Sequence, residues 1–200
     1  MRKKLTESFF ADPDVVKLAK KLLGKRLCTF IDGIYTSGII TETEAYAGVT
    51  DKASHAYGGK NTDRTKIMFE NAGTAYVYLC YGIHHLFNIV TNKKGIPHAI
   101  LIRAIQPDEG IEYMMERRKK FKVDKTFSGG PGTVSQALGI KTKHSGKKLS
   151  GKEIWVEETG IKILEKEIIT GPRIGVDYAG EDAQLPYRFY TKSKIKVSNS

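Results

Sequence analysis

One short stretch, residues 43–88, gathers side chains from which base chemistry could be built: Glu44, then Tyr46, His55, Tyr57, Tyr76, Tyr78, Tyr81 and Asn88. Tyrosine and histidine rings offer flat faces on which nucleic-acid bases stack. A positioned carboxylate beside them can activate water, and a glycosidic bond to a damaged base needs little more for its hydrolysis. Glu42 and Glu44, two apart on a strand, would share a face, and like charges would raise one pKa if both were buried. If only one is buried, Glu44 is the choice, because it lies closer to the aromatic residues. Each residue alone also has an ordinary structural reading. Strand carboxylates commonly end in solvent-facing salt bridges, and strand tyrosines pack on the core with a bonded hydroxyl.

Other chemistries find less support. Residues 146–152 mimic a phosphate-binding P-loop, but Glu153 stands where Ser or Thr would bind magnesium, and no apolar strand leads in. The histidines, His55, His84, His85, His98 and His144, show no metal-site spacing, and the cysteines supply no zinc cluster, so no metal is expected. Neither Ser54 nor Ser135 sits in a nucleophile elbow.

The elements that must position Glu44 and the rings follow from pattern. Asp12 and Pro13 read as the N-cap and first position of a helix with Val15, Val16, Leu18, Ala19, Leu22 and Leu23 on its apolar face, ended by Gly24. Strands over 27–31 and 35–44 form a hairpin about Asp32-Gly33, leaving Glu44 near a strand end. Residues 48–65, rich in Gly, Asp, Asn and Thr, read as a long surface loop that carries His55. A strand over 75–81 turns at Gly82 and returns over 86–91, so that Tyr81, Gly82, Ile83 and His84 form a hairpin tip. Downstream come a strand over 99–105, a helix over 107–121 ending in Arg117-Arg118-Lys119-Lys120, and a short helix over 133–138 opened by Gly129-Gly130-Pro131-Gly132. Further strands are expected over 154–156, 161–169, 174–176 and 188–190. The sum is an α+β fold.

Two hundred residues, 40% of them hydrophobic, suffice for one sizeable core, so residues 1–200 are expected to form a single domain. The excess of 33 Lys and Arg over 22 Asp and Glu favours a polyanionic partner. Cys28 and Cys80 form no C-x-x-C pair, and the N-terminal Met-Arg-Lys-Lys lacks the apolar core of a signal peptide, which points to a reducing, cytoplasmic setting. No apolar run is long enough to span a bilayer, so no membrane partner is expected.

In combination the blocks Thr43-Glu44-Ala45-Tyr46-Ala47-Gly48, Ala53-Ser54-His55-Ala56-Tyr57-Gly58-Gly59, Met68-Phe69 and Gly73-Thr74-Ala75-Tyr76-Val77-Tyr78 through Tyr81-Gly82 resemble the alkyladenine (3-methyladenine) DNA glycosylase family, of methylpurine-DNA glycosylase type. The likeness continues through Leu101-Ile102-Arg103-Ala104, Gly130-Pro131-Gly132, Gln136-Ala137-Leu138, Arg173-Ile174-Gly175-Val176, Tyr178-Ala179-Gly180 and Pro186-Tyr187-Arg188-Phe189-Tyr190. It implies a compact single domain with a curved, mostly antiparallel sheet, flanking helices and a protruding β-hairpin.

The resemblance also implies roles. Glu44 matches the general base that deprotonates water for attack at the sugar C1′, Arg103 a side chain that orients acid and water, and the backbone carbonyl of Ile174 a further water contact. Tyr46, His55 and Tyr78 match a pocket that sandwiches an extruded purine, and Asn88 an asparagine that opposes the guanine amine. Tyr81 matches a ring that enters the minor groove and fills the vacated stack, with Thr62, Ile83 and His84 touching the groove. The implied substrate is double-stranded DNA bearing alkylated or deaminated purines, cleaved by a monomer without cofactor, and without lyase activity since no lysine occupies the catalytic block. Thr133, Ser135 and Asp182 depart from the lysine, cysteine and tryptophan common at those positions. A non-catalytic binder of structured nucleic acid and an RNA-directed hydrolase stand as alternatives.

Overall fold

A computed structural model describes residues 3–192 and Ile195. The long strand β2 (Ile34–Tyr46) is its spine, for three other strands pair with it. Its first half pairs with β1 (Arg26–Ile31) through a two-residue turn at Asp32 and Gly33, with φ of 53° and 77°. Both values are positive, as a hairpin of this length demands, and an Asp-Gly pair tolerates them. Along its other edge β2 runs antiparallel to β5 (His98–Glu109), and its last residues pair with β8 (Arg188–Thr191).

The sheet order is β3-β4-β5-β2-β1-β6, where β3 is Ala75–Cys80, β4 is His84–Thr91 and β6 is Ile154–Glu157. The strand β7 (Ile168–Gly171) adds to β8. All these pairings are antiparallel. The α+β expectation holds, with one curled antiparallel sheet and few helices.

Helices cover the face away from Glu44. After α1 (Glu7–Phe10), α2 (Val15–Leu22) buries Leu18, Ala19 and Leu22, and the Thr43 hydroxyl donates to the Ala19 carbonyl at 2.9 Å. Its N-cap is Asp14, whose carboxylate accepts from the Lys17 N–H at 2.9 Å, and not Asp12 as the sequence suggested. Pro13 therefore precedes the helix. The helices α3 (Ile111–Arg118) and α4 (Pro131–Leu138) close the other end, burying Met114, Val134 and Leu138 against Phe87, Ile89 and Ile100.

Several boundaries differ from expectation. The helix expected over 107–121 begins only at Ile111, because β5 continues through Pro107, opposite Gly38 at a register shift. An irregular ladder tolerates the proline's missing N–H. Gly110 then turns the chain at φ 71°, where a Cβ would lie 2.4 Å from the Tyr35 carbonyl oxygen. Of the strand expected over 161–169 only its end joins β7, and residues 174–176 form none: the Ile174 N–H bonds a side chain instead of a neighbouring strand. The segment 48–65 is not wholly a surface loop, since Asp51, Ala53, Ser54, Ala56 and Thr65 are buried. Among the described residues no helix is long and apolar enough to cross a membrane.

Candidate active site

Strand alternation builds one face of the site. Tyr76 of β3 pairs with Asn88 of β4, Asn88 with Leu101 of β5, Leu101 with Glu44 of β2, and Glu44 with Arg188 of β8. Residues opposite one another in a ladder point to the same side, and so do residues two apart. Tyr78, Leu86, Ala99, Arg103, Tyr46 and Glu42 thus join that row on a single face. A cleft of about 170 Å³ opens over it. One water needs roughly 10–15 Å³, so the cleft has room for a larger ligand.

The other walls come from two irregular segments. Ala53, Ser54 and His55 descend on one side, and Ile174, Gly175, Val176 and Tyr178 on the other, while Tyr81 and Pro131 reach in at the rim. His55 meets Tyr78 edge to face at 4.7 Å between ring centres, and its Nδ1 lies 2.8 Å from the Tyr76 hydroxyl. The Arg64 guanidinium sits 5.0 Å from the Tyr78 ring centre and 3.4 Å from His55 Nε2. Arginine carries only donors, so Nε2 is the acceptor and Nδ1 bears the proton. Burial, aided by the Arg64 charge, lowers the His55 pKa to about 4, so the ring is neutral at physiological pH.

Glu44 lies at the middle of this arrangement. It has 0% of its surface exposed, and each carboxylate oxygen is held. Oε1 accepts the Ile174 N–H at 2.8 Å and faces Arg103 Nη1 at 3.3 Å, and Oε2 accepts the Tyr46 hydroxyl at 2.9 Å. Burial pushes its pKa up, while Arg103, the Ile174 N–H and the Tyr46 hydroxyl pull it down. The carboxylate lies just behind the cleft lining, and its three partners all belong to that lining. Glu42 does share the face of Glu44: Arg103 Nε bonds it at 3.1 Å, and Arg188 adds a second cation at 3.0 Å. Burial, followed by the neighbouring carboxylate, raises the Tyr46 phenol well above its ordinary pKa, so it stays a donor.

Asn88 is buried, with its amide donating to the Tyr76 and Leu86 carbonyls at 3.2 and 3.3 Å. The fold therefore brings together Glu44, Tyr46, His55, Tyr78, Asn88, Arg103 and Ile174. At the hairpin tip Tyr81 is 90% exposed with φ 51°, followed by Gly82 at 72° and by Ile83, which is 71% exposed. Thr62, Ile83 and His84 lie outside the cleft lining, on exposed surface. Tyr57 also lies outside it.

Sequence reasoning gave no role to Asp51, Arg64, Arg173 or Tyr178. The Tyr178 hydroxyl donates to the Ala53 carbonyl at 2.9 Å, and Arg173 is ion-paired to Asp51. Arg173 and Tyr178 stand inside blocks already quoted, which was the available signal. Among the described residues no three His, Cys, Asp or Glu side chains are gathered as a metal would require.

The sequence model described as methylpurine-DNA glycosylase (MPG) matches residues 8–195. The chain belongs to the methylpurine-DNA glycosylase family. A relative from Chlamydia felis is 47% identical over 95% of this chain and 97% of its own length, and one from Bacillus cytotoxicus is 43% identical over 94% and 97%. A third, from Bacillus cereus strain ATCC 14579, is 45% identical over 94% and 96%; all three carry the name "Putative 3-methyladenine DNA glycosylase".

Within this methylpurine-DNA glycosylase family member the departing residues have structural duties. The Thr133 hydroxyl accepts the Gly130 N–H at 3.0 Å and caps α4. Asp182 accepts the Lys52 N–H at 2.7 Å. Ser135 is buried, and among the described residues its hydroxyl has no hydrogen-bond partner.

Proposed function

We propose that this chain excises alkylated purines, 3-methyladenine among them and hypoxanthine as a deaminated case, from duplex DNA. The observation that carries the reading is Glu44, a buried carboxylate gripped by Arg103, Tyr46 and the Ile174 N–H directly behind an aromatic cleft. Extruding a base costs a few kcal/mol, and stacking on aromatic rings returns about 1–3 kcal/mol per base. An N-alkylated purine carries positive charge, stacks well on tyrosine, and is already a good leaving group.

Glu44 takes the proton of a water whose oxygen attacks C1′. The C1′–N bond breaks, its electrons leave with the base, and an abasic sugar remains. Arg103 holds the acid in its ionised form and orients it. Tyr46, His55 and Tyr78 clasp the purine, and Asn88, pinned by two carbonyls, stands against a guanine amine. Tyr81, presented at the hairpin crest, fills the gap in the stack, with Ile83, His84 and Thr62 against the groove. The reaction needs no lysine adduct, so the strand stays uncut.

The test is Glu44→Gln. Losing a general base costs about 10²–10⁴-fold. Base release from methylated duplex DNA, with a metal chelator present, is expected to fall by that much while lesion binding persists. Wild-type turnover in a folded variant would refute the assignment, and a wild-type protein that binds DNA but frees no base would be a binder only.

A further inference from the structure

We infer that Arg173 and Asp51 act as a positioning pair, a buried clip that fixes both walls of the cleft and sets the charge behind Tyr46. This deepens the glycosylase reading and rests on it. The two side chains are 0% and 1% exposed, with Nη1 to Oδ2 at 2.5 Å and Nη2 to Oδ1 at 2.9 Å. Asp51 also accepts the N–H groups of Ala47 and Ala53, each at 3.0 Å, and so shapes the chain that leads to His55.

Arg173 reaches four more groups. Its Nη1 donates to the Ala45 carbonyl, between Glu44 and Tyr46, at 3.0 Å, and its Nη2 to the Asp182 carbonyl at 3.0 Å. Its guanidinium lies 4.9 Å from the Tyr46 ring centre and 5.2 Å from that of Tyr187. The next residue, Ile174, gives its N–H to Glu44. One side chain thereby fixes two of the three donors on the acid, Tyr46 from beneath its ring and the Ile174 amide through the backbone.

Stability alone gives little reason for such a pair. Desolvation of buried ions offsets much of their attraction, and well-packed apolar substitutes are often as stable. Geometry gives a reason, since misplacing a reacting group by about 1 Å costs about 10² in rate. Charge gives another. Glu44 is faced by Arg103 and Glu42 from the sheet, by Arg188 of β8 through Glu42, by the Tyr46 and Tyr178 hydroxyls, and by Arg173, with which it interacts electrostatically.

The experiment measures single-turnover base release from methylated duplex DNA against pH for wild type, Glu44→Gln, Arg173→Gln, Arg173→Lys and Asp51→Asn, with unfolding monitored in parallel. Arg173→Gln removes a cation from near Glu44, so the acid limb of the profile is expected to move to higher pH. Asp51→Asn leaves that cation uncompensated, and the limb is expected to move to lower pH. Both should lower the plateau rate, by about 10²-fold if the walls shift by about 1 Å. Loss of packing would not move the two limbs in opposite directions. Coincident limbs, or shifts of one sign, in folded variants would overturn the inference. If Arg173→Gln or Asp51→Asn does not fold, Arg173→Lys decides: a wild-type limb with a reduced plateau supports the pair, and an unchanged plateau overturns it. Wild-type release that Glu44→Gln abolishes leaves the glycosylase reading standing whichever way the clip falls. Absence of wild-type release would remove both.

Discussion

Replacing Tyr46 by Phe removes one oxygen from the cleft and one donor from the acid. The ring that lies over Arg173 remains, so the aromatic wall is kept. What goes is the 2.9 Å hydrogen bond to Glu44 Oε2, in a carboxylate with 0% of its surface exposed. A hydrogen bond to a charged group contributes about 1.5–3 kcal/mol, and here it favours only the ionised form. At about 1.4 kcal/mol per tenfold, the balance between carboxylate and acid moves roughly ten- to hundredfold toward the acid at any given pH. The acid limb of base release should move to higher pH, with activity regained on the alkaline side. Stability changes with the opposite sense. Burial already raises the folded-state pKa of Glu44 above its unfolded value of about 4.3, so native stability is greatest below that pH and falls as pH rises through the folded-state pKa. In the variant this fall should be deeper by the same roughly 1.5–3 kcal/mol. Single-turnover release from methylated duplex DNA and chemical unfolding, both followed across pH, measure the two effects. Profiles that superimpose on wild type, or a limb displaced to lower pH, would refute the reasoning.

Tyr81→Ala should leave unfolding within about 0.5 kcal/mol of wild type, as the ring is 90% exposed, yet hasten dissociation from abasic DNA; an unchanged off-rate would count against the wedge role. His55→Asn should blunt acid destabilisation. The wild-type ring has its pKa lowered to about 4, so its contribution is present above the unfolded value of about 6.5 and lost as pH falls toward 4, an effect of up to about 3 kcal/mol visible in urea titrations at several pH values. Asn88→Ala should raise release of 7-methylguanine relative to 3-methyladenine, measured on matched duplexes, and an unaltered ratio would remove Asn88 from discrimination.

Much of the site was legible because strands alternate. Glu42 with Glu44, and Tyr76 with Tyr78, sit two apart on strands, so sequence spacing alone put each pair on one face, whereas Tyr46 joins that face only because β2 runs on past the expected end at Glu44. His55 was found through its place in a polar loop, although burial of Ala53 and Ala56 makes that loop part of the core. The Asp51–Arg173 clip was not legible, since its members lie 122 residues apart and an ion pair at such separation leaves no periodic trace. The irregular turn at residues 174–176 was misread as a strand for a related reason: its apolar pattern resembles one, but its amide serves a carboxylate. Pro107 misled the boundary of α3 because proline usually opens a helix, whereas here a register shift lets the strand absorb it.

The partners of Glu44 are scattered along the chain, one 2 residues away and another 130. Ordering an ensemble with such distant contacts is slow, because loop-closure entropy is lost before the contact is gained. A nascent chain that has not yet emerged beyond β7 has neither the Ile174 amide on Glu44 nor Arg188 beside it. During refolding, fluorescence from early collapse should therefore run ahead of catalytic competence. A partly folded chain has the rings of the cleft but not yet the assembled grip on Glu44.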